Sequence, residues 1–228
     1  MPETKAILWD FDGTLSYPNR CFSSALYMAV SQFGYTIEKH KTTEFLSTAY
    51  SWKNPDAIYI DRTWKVWWDT MFGKITAFCI ENGIKVADIP EINACFREVL
   101  INAENYCLYD DAIETLKKCL ELGYKNILAT NNYPEITENL EKLGVAPYLT
   151  DCVVSSHIGY EKPRKEFYDE AKRRGGNPEI IYMIGDNPIA DIRGGNDAGL
   201  ITIAVHECKN SEADFYVENL TDILAILK

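Results

Sequence analysis

Two carboxylates directly follow the first apolar run of the chain, at a spacing that suits chemistry. The run Ala6–Trp9 predicts a buried strand, and Asp10 and Asp12 come immediately after it. Residues two apart in an extended chain project to the same side, roughly 6–7 Å apart. Two acids at the tip of a buried strand are costly unless a cation meets them, so the pair predicts a reactive or ion-binding site. Asp12-Gly13 is also a common turn dipeptide, which leaves a plain turn as the alternative.

Polar residues follow the later apolar runs as well. They are Thr130 and Asn131 after the second run, Lys162 before Pro163 after the third, and Asp186 and Asp191 after the fourth. Taken singly, each has an ordinary explanation, such as helix capping for the threonine or a solvated surface position for the lysine. Their order along the chain, each near a strand end, is the stronger signal.

The four acids among these residues predict a metal site. Ligands of open parallel sheets bind outside the carboxyl ends of the strands, where Asp10, Asp12, Asp186 and Asp191 would converge. Oxygen ligands suit a hard divalent ion, and Mg²⁺ commonly combines a few carboxylates with waters and a substrate phosphate.

Short apolar runs alternate with helical patterns in most of the chain. The runs are Ala6–Trp9, Asn126–Ala129, Cys152–Ser155, Ile180–Ile184 and Ile201–Val205, and the helical patterns are Asp111–Leu122, Pro134–Leu143 and Pro163–Arg174. Each helical pattern ends at a glycine, the preferred residue just past a helix end. Strands that are apolar on both faces and alternate with helices predict an α/β fold, with a parallel sheet covered by helices on both sides.

Residues 17–106 show helical periodicity without a strand pattern. This stretch predicts a helical domain of 17–106, inserted into a core made of 1–16 and 107–228. Trp64, Trp67 and Trp68 share a helical stripe with other apolar residues, which favours the interior of this domain. Trp52 lies in a loop-like stretch and is a candidate for substrate contact.

Composition limits the classes of partner. Acidic residues number 34 and basic residues 23, which gives a net charge of −11. This charge disfavours a nucleic acid polymer or an anionic membrane, but a local site could still bind a small phosphorylated metabolite. The 7 cysteines form no C-x-x-C pair, and no apolar run reaches membrane-spanning length. We therefore expect a cytoplasmic protein with reduced thiols, and no signal peptide.

Together these motifs resemble one enzyme family. The run Asp10-Phe11-Asp12-Gly13-Thr14, and Gly185-Asp186 with Asp191-Ile192, Gly194 and Asp197-Ala198-Gly199, resemble the haloacid dehalogenase-like hydrolases of the helical-cap branch. The resemblance covers residues 6–16 and 108–205 and is closest to the phosphatase type, such as phosphoglycolate phosphatases. It implies a Rossmann-like core with an all-helical cap. Dehalogenases of the family lack an acid at the position of Asp12, so its presence favours phosphoryl transfer.

The resemblance also implies residue roles. Asp10 would be the nucleophile of an Mg²⁺-dependent phosphatase that hydrolyses a small phosphomonoester through a phosphoaspartyl intermediate, and Asp12 would be its general acid and base. Thr130, Asn131 and Lys162 would bind the phosphoryl group. Mg²⁺ would be held by Asp10, the Asp12 main-chain carbonyl and Asp186, with Asp191 supporting them. A phosphomutase of the same fold and a non-catalytic module that binds a phosphorylated ligand remain the alternatives.

Overall fold

A parallel sheet forms the centre of the protein. The computed structural model describes residues 4–17, 21–49, 58–209 and 212–228. The strands of the described residues are β1 Lys5–Trp9, β2 Ser16–Tyr17, β3 Cys107–Leu108, β4 Tyr124–Thr130, β5 Asp151–Val154, β6 Ile180–Gly185, β7 Ile201–Val205 and β8 Phe215–Val217. Six of them pair in the order β5-β4-β1-β6-β7-β8, and every pairing in this sheet is parallel.

Helices cover the sheet on both faces, as the sequence predicts. The α-helices of the described residues are α1 Cys21–Gln32, α2 Lys39–Ala49, α3 Lys65–Glu81, α4 Ile89–Ile101, α5 Ala112–Glu121, α6 Ile136–Lys142, α7 Ser155–Ile158, α8 Lys165–Gly175 and α9 Gly194–Asp197. A π-helix, Pro188–Arg193, contains Asp191. Alternate residues of β1 enter different apolar clusters: Ile7 packs on the side of α5 and α6, and Leu8 on the side of α8. Because both faces of β1 are buried from Ala6 to Trp9, its sequence is apolar over these residues.

Three details differ from the sequence prediction. β5 ends at Val154, and Ser155 begins the short helix α7. Helix α8 begins at Lys165, since Arg164 is still extended, and it includes Gly175 because Gly176 takes the left-handed conformation at its end. Strand β8 has only 3 residues and a half-exposed pattern, so it lacks the apolar run that identifies the other strands.

In the described residues between β2 and β3, helices α1 to α4 form a helical cap. The chain leaves the core at β2 and returns at β3, and these two segments pair antiparallel at the base of the cap. In the cap, α1 packs against α2 and α4, and α3 packs against α4. In the described part of the chain, no helix has both the length and the apolar character needed to cross a bilayer.

The tryptophans of the cap are buried to different extents. Trp68 is buried and Trp67 half-buried, in agreement with the predicted interior stripe. The prediction is wrong for Trp64, which is 56% exposed. Trp64 lies before α3 with a positive φ of 54° and stacks on His157 of the core, so the helical periodicity does not apply to it. Trp52 lies outside the described residues.

Candidate active site

The predicted site residues meet at the carboxyl edge of the central strands. β1 lies between β4 and β6, with Trp9 paired to Leu128 and to Ile184. Asp10 after β1, Thr130 at the end of β4 and Asp186 after β6 therefore line one cavity. The cavity measures about 140 Å³, and Asp12, Asn131, Lys162 and Asp191 also line it.

A tight turn brings Asp12 back over this edge. Gly13 has φ 87°, and the carbonyl of Phe11 accepts N–H groups from Thr14 at 3.2 Å and Leu15 at 3.0 Å. The plain turn suggested by Asp12-Gly13 is thus present, and it lies within the cavity wall. The turn and the predicted site are one feature of the structure.

Lys162 links two of the acids. Its side chain is 2% exposed, and Nζ donates to Asp10 Oδ1 at 2.7 Å and to Asp191 Oδ1 at 2.6 Å. Burial opposes the charged lysine, but the attraction of the two carboxylates outweighs burial and raises the pKa of Lys162. The lysine is therefore a fixed cation in the site.

Asn131 fixes the main chain at this lysine. Its Nδ2 donates to the Lys162 carbonyl at 3.0 Å, and its Oδ1 accepts from the Lys162 N–H at 2.8 Å. The amide so joins the end of β4 to the loop that follows α7. The side chain also lines the cavity, and its predicted role in substrate binding stays a prediction.

The position of the Asp191 carboxylate depends on its close contact with Gly185. Asp191 is fully buried, and its Oδ2 accepts the N–H of Asn187 at 3.0 Å. A Cβ at Gly185 would lie 2.2 Å from that same oxygen, so only glycine leaves room for the carboxylate. Burial raises the pKa of Asp191, while Lys162 favours its charged form. The Gly-Asp pair that closes β6 thus positions the acid five residues later.

The acidic cluster has the chemistry of a cation site. Carboxylate oxygens of Asp10, Asp186 and Asp191 lie within 4.8 Å of one another. Burial, followed by repulsion from Asp10 and Asp191, raises the pKa of Asp186 well above its usual value. Lys162 contacts two of the three carboxylates, Asp10 and Asp191. The clustered carboxylates and their all-oxygen donors fit a hard divalent ion.

Asp12 has a different environment from Asp10. The Asn132 amide donates to Asp12 Oδ2 at 2.7 Å, and the Cys21 thiol donates to Oδ1 at 3.3 Å. Burial, then repulsion from Asp10, raises the pKa of Asp12 to about 7. Sequence reasoning missed both partners: Asn132 follows the predicted site residues directly, which is a usable signal, whereas nothing in the sequence singles out Cys21.

This arrangement agrees with a match to known proteins. A family model described as haloacid dehalogenase-like hydrolase matches residues 4–199. The chain belongs to the haloacid dehalogenase-like hydrolases.

Individual relatives in this family carry several activities. A glyceraldehyde 3-phosphate phosphatase of Methanopyrus kandleri is 31% identical over 53% of this chain and 56% of its own length. The pyrimidine 5'-nucleotidase YjjG of Escherichia coli is 29% identical over 60% of this chain and 64% of its own length. The chain therefore spans less than two thirds of either relative.

A solved structure supports the haloacid dehalogenase-like fold over the full length. The Bacillus subtilis HAD-hydrolase YfnB, determined with magnesium bound, has a TM-score of 0.77 and 20% identity, and the match covers 99% of each chain. At this identity the likeness establishes the fold. The Rossmann-like core with an inserted helical cap is confirmed.

A second, smaller cavity lies where the cap meets the core. It measures about 40 Å³ and shares Phe22 and Asn131 with the cavity that holds the acids. Cap side chains line most of it, among them Tyr59, Arg62 and Lys74. The two cavities therefore adjoin each other.

Proposed function

We propose that the protein is an Mg²⁺-dependent phosphatase that hydrolyses a small phosphomonoester through a phosphoaspartyl intermediate on Asp10. The observation that carries the proposal is that two neighbouring acids, Asp10 and Asp12, have different surroundings. Asp10 is ion-paired with Lys162, which suits a nucleophilic carboxylate. Asp12, with its pKa raised to about 7, can hold a proton near neutral pH, which suits a general acid.

The reaction would proceed in two displacements on phosphorus. In the first, an Asp10 oxygen bonds to phosphorus, the ester bond breaks, and the leaving oxygen takes the proton of Asp12. In the second, the Asp12 carboxylate accepts a proton from water, the water oxygen bonds to phosphorus, and phosphate departs as the Asp10 carboxylate is restored. Thr130 and Lys162 would donate to phosphoryl oxygens and stabilise their charge.

The same residues would hold the metal ion. We assign the Asp10 carboxylate, the Asp12 main-chain carbonyl and Asp186 as ligands, with Asp191 supporting the site through Lys162 and Asn187. When bound, the ion would reduce the repulsion between the carboxylate and the phosphate. The close approach of the carboxylates, and the repulsion from Asp10 and Asp191 that helps raise the pKa of Asp186, support this assignment.

The cavities favour a small substrate, and we propose that the protein acts on it in the cytoplasm. An engineered cavity of about 150 Å³ binds benzene, and the space beyond the acids is smaller, about 40 Å³. A short leaving group therefore fits this arrangement better than a nucleoside. We take residues 17–106 as the cap that closes over this substrate, and 1–16 with 107–228 as the catalytic core.

The direct test is hydrolysis of p-nitrophenyl phosphate with and without Mg²⁺. We expect Mg²⁺-dependent release of phosphate by the wild type, and none by Asp10→Asn. Asp169→Asn is the matched control, since Asp169 lies on the surface of α8 and pairs there with Lys165. Activity that survives in Asp10→Asn would contradict the mechanism. An inactive wild type would favour the non-catalytic module, and transfer of the phosphoryl group within a sugar phosphate would favour the phosphomutase.

A further inference from the structure

We infer that Asn132 and Cys21 are positioning residues that hold the two oxygens of the general acid, one from the core and one from the cap. The inference rests on the proposed function, because it assigns how Asp12 is aimed at the leaving oxygen. Asn132 follows β4 in the core, and Cys21 is the first residue of α1 in the cap. Each contacts a different carboxylate oxygen of Asp12.

Contacts other than the one with Asp12 orient the Asn132 side chain. It is 1% exposed, and its Oδ1 accepts the N–H of Tyr133 at 3.0 Å. That bond turns Nδ2 toward Asp12 Oδ2 at 2.7 Å and toward Thr130 Oγ1 at 3.4 Å. The Asn132 N–H in turn donates to Ser155 Oγ at 3.2 Å. One amide thus connects the acid to the predicted phosphoryl donor.

Cys21 brings the cap to the same carboxylate. The thiol is 8% exposed and lines the cavity with Asp10 and Asp12. Its helix, α1, packs on α4, so the Cys21 contact depends on where the cap helices sit. Asp12 is therefore held on both oxygens only while the cap rests against the core. The cap position and the alignment of the acid are coupled in this arrangement.

A misaligned acid has a specific kinetic signature. An alkoxide is a poor leaving group and needs the proton of Asp12, whereas p-nitrophenolate leaves without one. Loss of a positioning contact should therefore slow alkyl phosphate hydrolysis selectively. A general loss of folding or of phosphate binding would slow both substrates together.

The experiment compares β-glycerophosphate with p-nitrophenyl phosphate in the presence of Mg²⁺. For Asn132→Ala and Cys21→Ala, we expect kcat on β-glycerophosphate to fall about 10- to 100-fold, and kcat on p-nitrophenyl phosphate to change by less than about threefold. Cys21→Ser retains a donor and should restore most of the lost rate. Because Asn132 also lines the smaller cavity, kcat and not KM is the deciding quantity.

Matched variants separate positioning from stability. Asn139→Ala removes another buried amide, one that bonds to Tyr133 OH at 2.8 Å, and Cys79→Ala removes another buried cap thiol. Neither should alter the ratio of the two rates. Equal losses on both substrates, or an unchanged ratio of the two kcat values in both Asn132→Ala and Cys21→Ala, would overturn this inference and leave the proposed function standing. A wild type that hydrolyses neither substrate would overturn the proposed function, and the inference with it.

Discussion

Asp10 and Asp12 are two residues apart in the chain, yet the fold gives them opposite surroundings. Asp10 faces a buried lysine cation, while Asp12 meets an amide, a thiol and no cation at contact distance among the described residues. The chain turns at Gly13, directly after Asp12, and the two carboxylates contact different partners. Two identical side chains can then have the two protonation states that phosphoryl transfer requires.

The raised pKa of Asp12 predicts an alkaline limit for alkyl phosphate hydrolysis. Burial and Asp10 raise this pKa to about 7, so the acid form is present below that pH and is lost above it. We expect kcat/KM for β-glycerophosphate to fall about tenfold per pH unit above this limit, since one proton is required. A profile from pH 5 to 9 measures it. A limit near pH 4, the range of an ordinary aspartate, would contradict the assignment of Asp12 as the acid.

Removing the buried lysine should destabilise the fold in a pH-dependent way. Lys162→Met leaves Asp10 and Asp191 buried without their cation, which should cost about 3–5 kcal/mol of unfolding free energy at pH 7 without metal. Burial already raises the pKa of Asp191, and loss of the lysine would raise it further, so Asp191 binds a proton as the pH falls and the loss becomes smaller toward pH 5. Urea unfolding at the two pH values measures this change.

Lys165→Met is the control for this experiment. Lys165 forms an exposed pair with Asp169 on α8, and such pairs contribute about 0–1 kcal/mol. Losses of equal size in the two lysine variants would show that the buried cation has no special role.

At the scale of elements, the sequence predicts what repeated local patterns encode. β1 and β6 are apolar on both faces and end in acids, and both strands and acids are where the pattern places them. β8 is not predicted because it has only 3 residues, of which only Val217 is buried, so it shows neither an apolar run nor an alternating pattern. Trp64 is predicted wrongly because it lies before α3, stacks on His157 and stays exposed, so helical periodicity does not set its position. Asn132 and Cys21 become functional candidates only once the turn after Phe11 places Asp12 between them.

The contact between the cap and α6 provides a prediction at this scale. Glu135, just before α6, accepts from Trp68 Nε1 at 2.9 Å and from Arg97 Nη2 at 2.5 Å. Glu135→Ala removes both bonds, and we expect a loss of about 1–3 kcal/mol with faster hydrogen exchange in α3 and α4. Glu138→Ala, an exposed residue on α6, is the control. Unchanged stability and exchange in Glu135→Ala would mean that other contacts hold the cap.

The whole molecule carries a charge of −11, and the site concentrates part of it. This net charge disfavours polyanionic partners. Part of it lies in the cluster of acids at the site, where a bound cation would reduce the repulsion between carboxylates. The site therefore has a stability effect that extends to the entire fold, because ligands that bind only the folded state stabilise all of it.

Mg²⁺ should raise the Tm of the wild type, and Asp186 should be required for that rise. At 100 times its Kd, the ion should stabilise the fold by about 2.7 kcal/mol. Asp186→Asn removes repulsion from Asp10 and Asp191, so we expect the metal-free variant to melt above the wild type and to show little further shift with Mg²⁺. Calorimetry in EDTA and in Mg²⁺ measures both. Asp197→Asn, an exposed change of equal charge, should keep the full Mg²⁺ shift, and an equal shift in Asp186→Asn would refute the assigned ligand.

The central claim is that the phosphoryl group is carried by Asp10, and covalent trapping tests it most directly. The wild type is mixed with p-nitrophenyl phosphate and Mg²⁺, quenched with acid and treated with borohydride, which reduces an aspartyl phosphate to homoserine. Peptide mass spectrometry then locates the reduced residue. We predict reduction at position 10 in the wild type and none in Asp10→Asn. Phosphate release without reduction at Asp10, or reduction at another carboxylate, would contradict the mechanism.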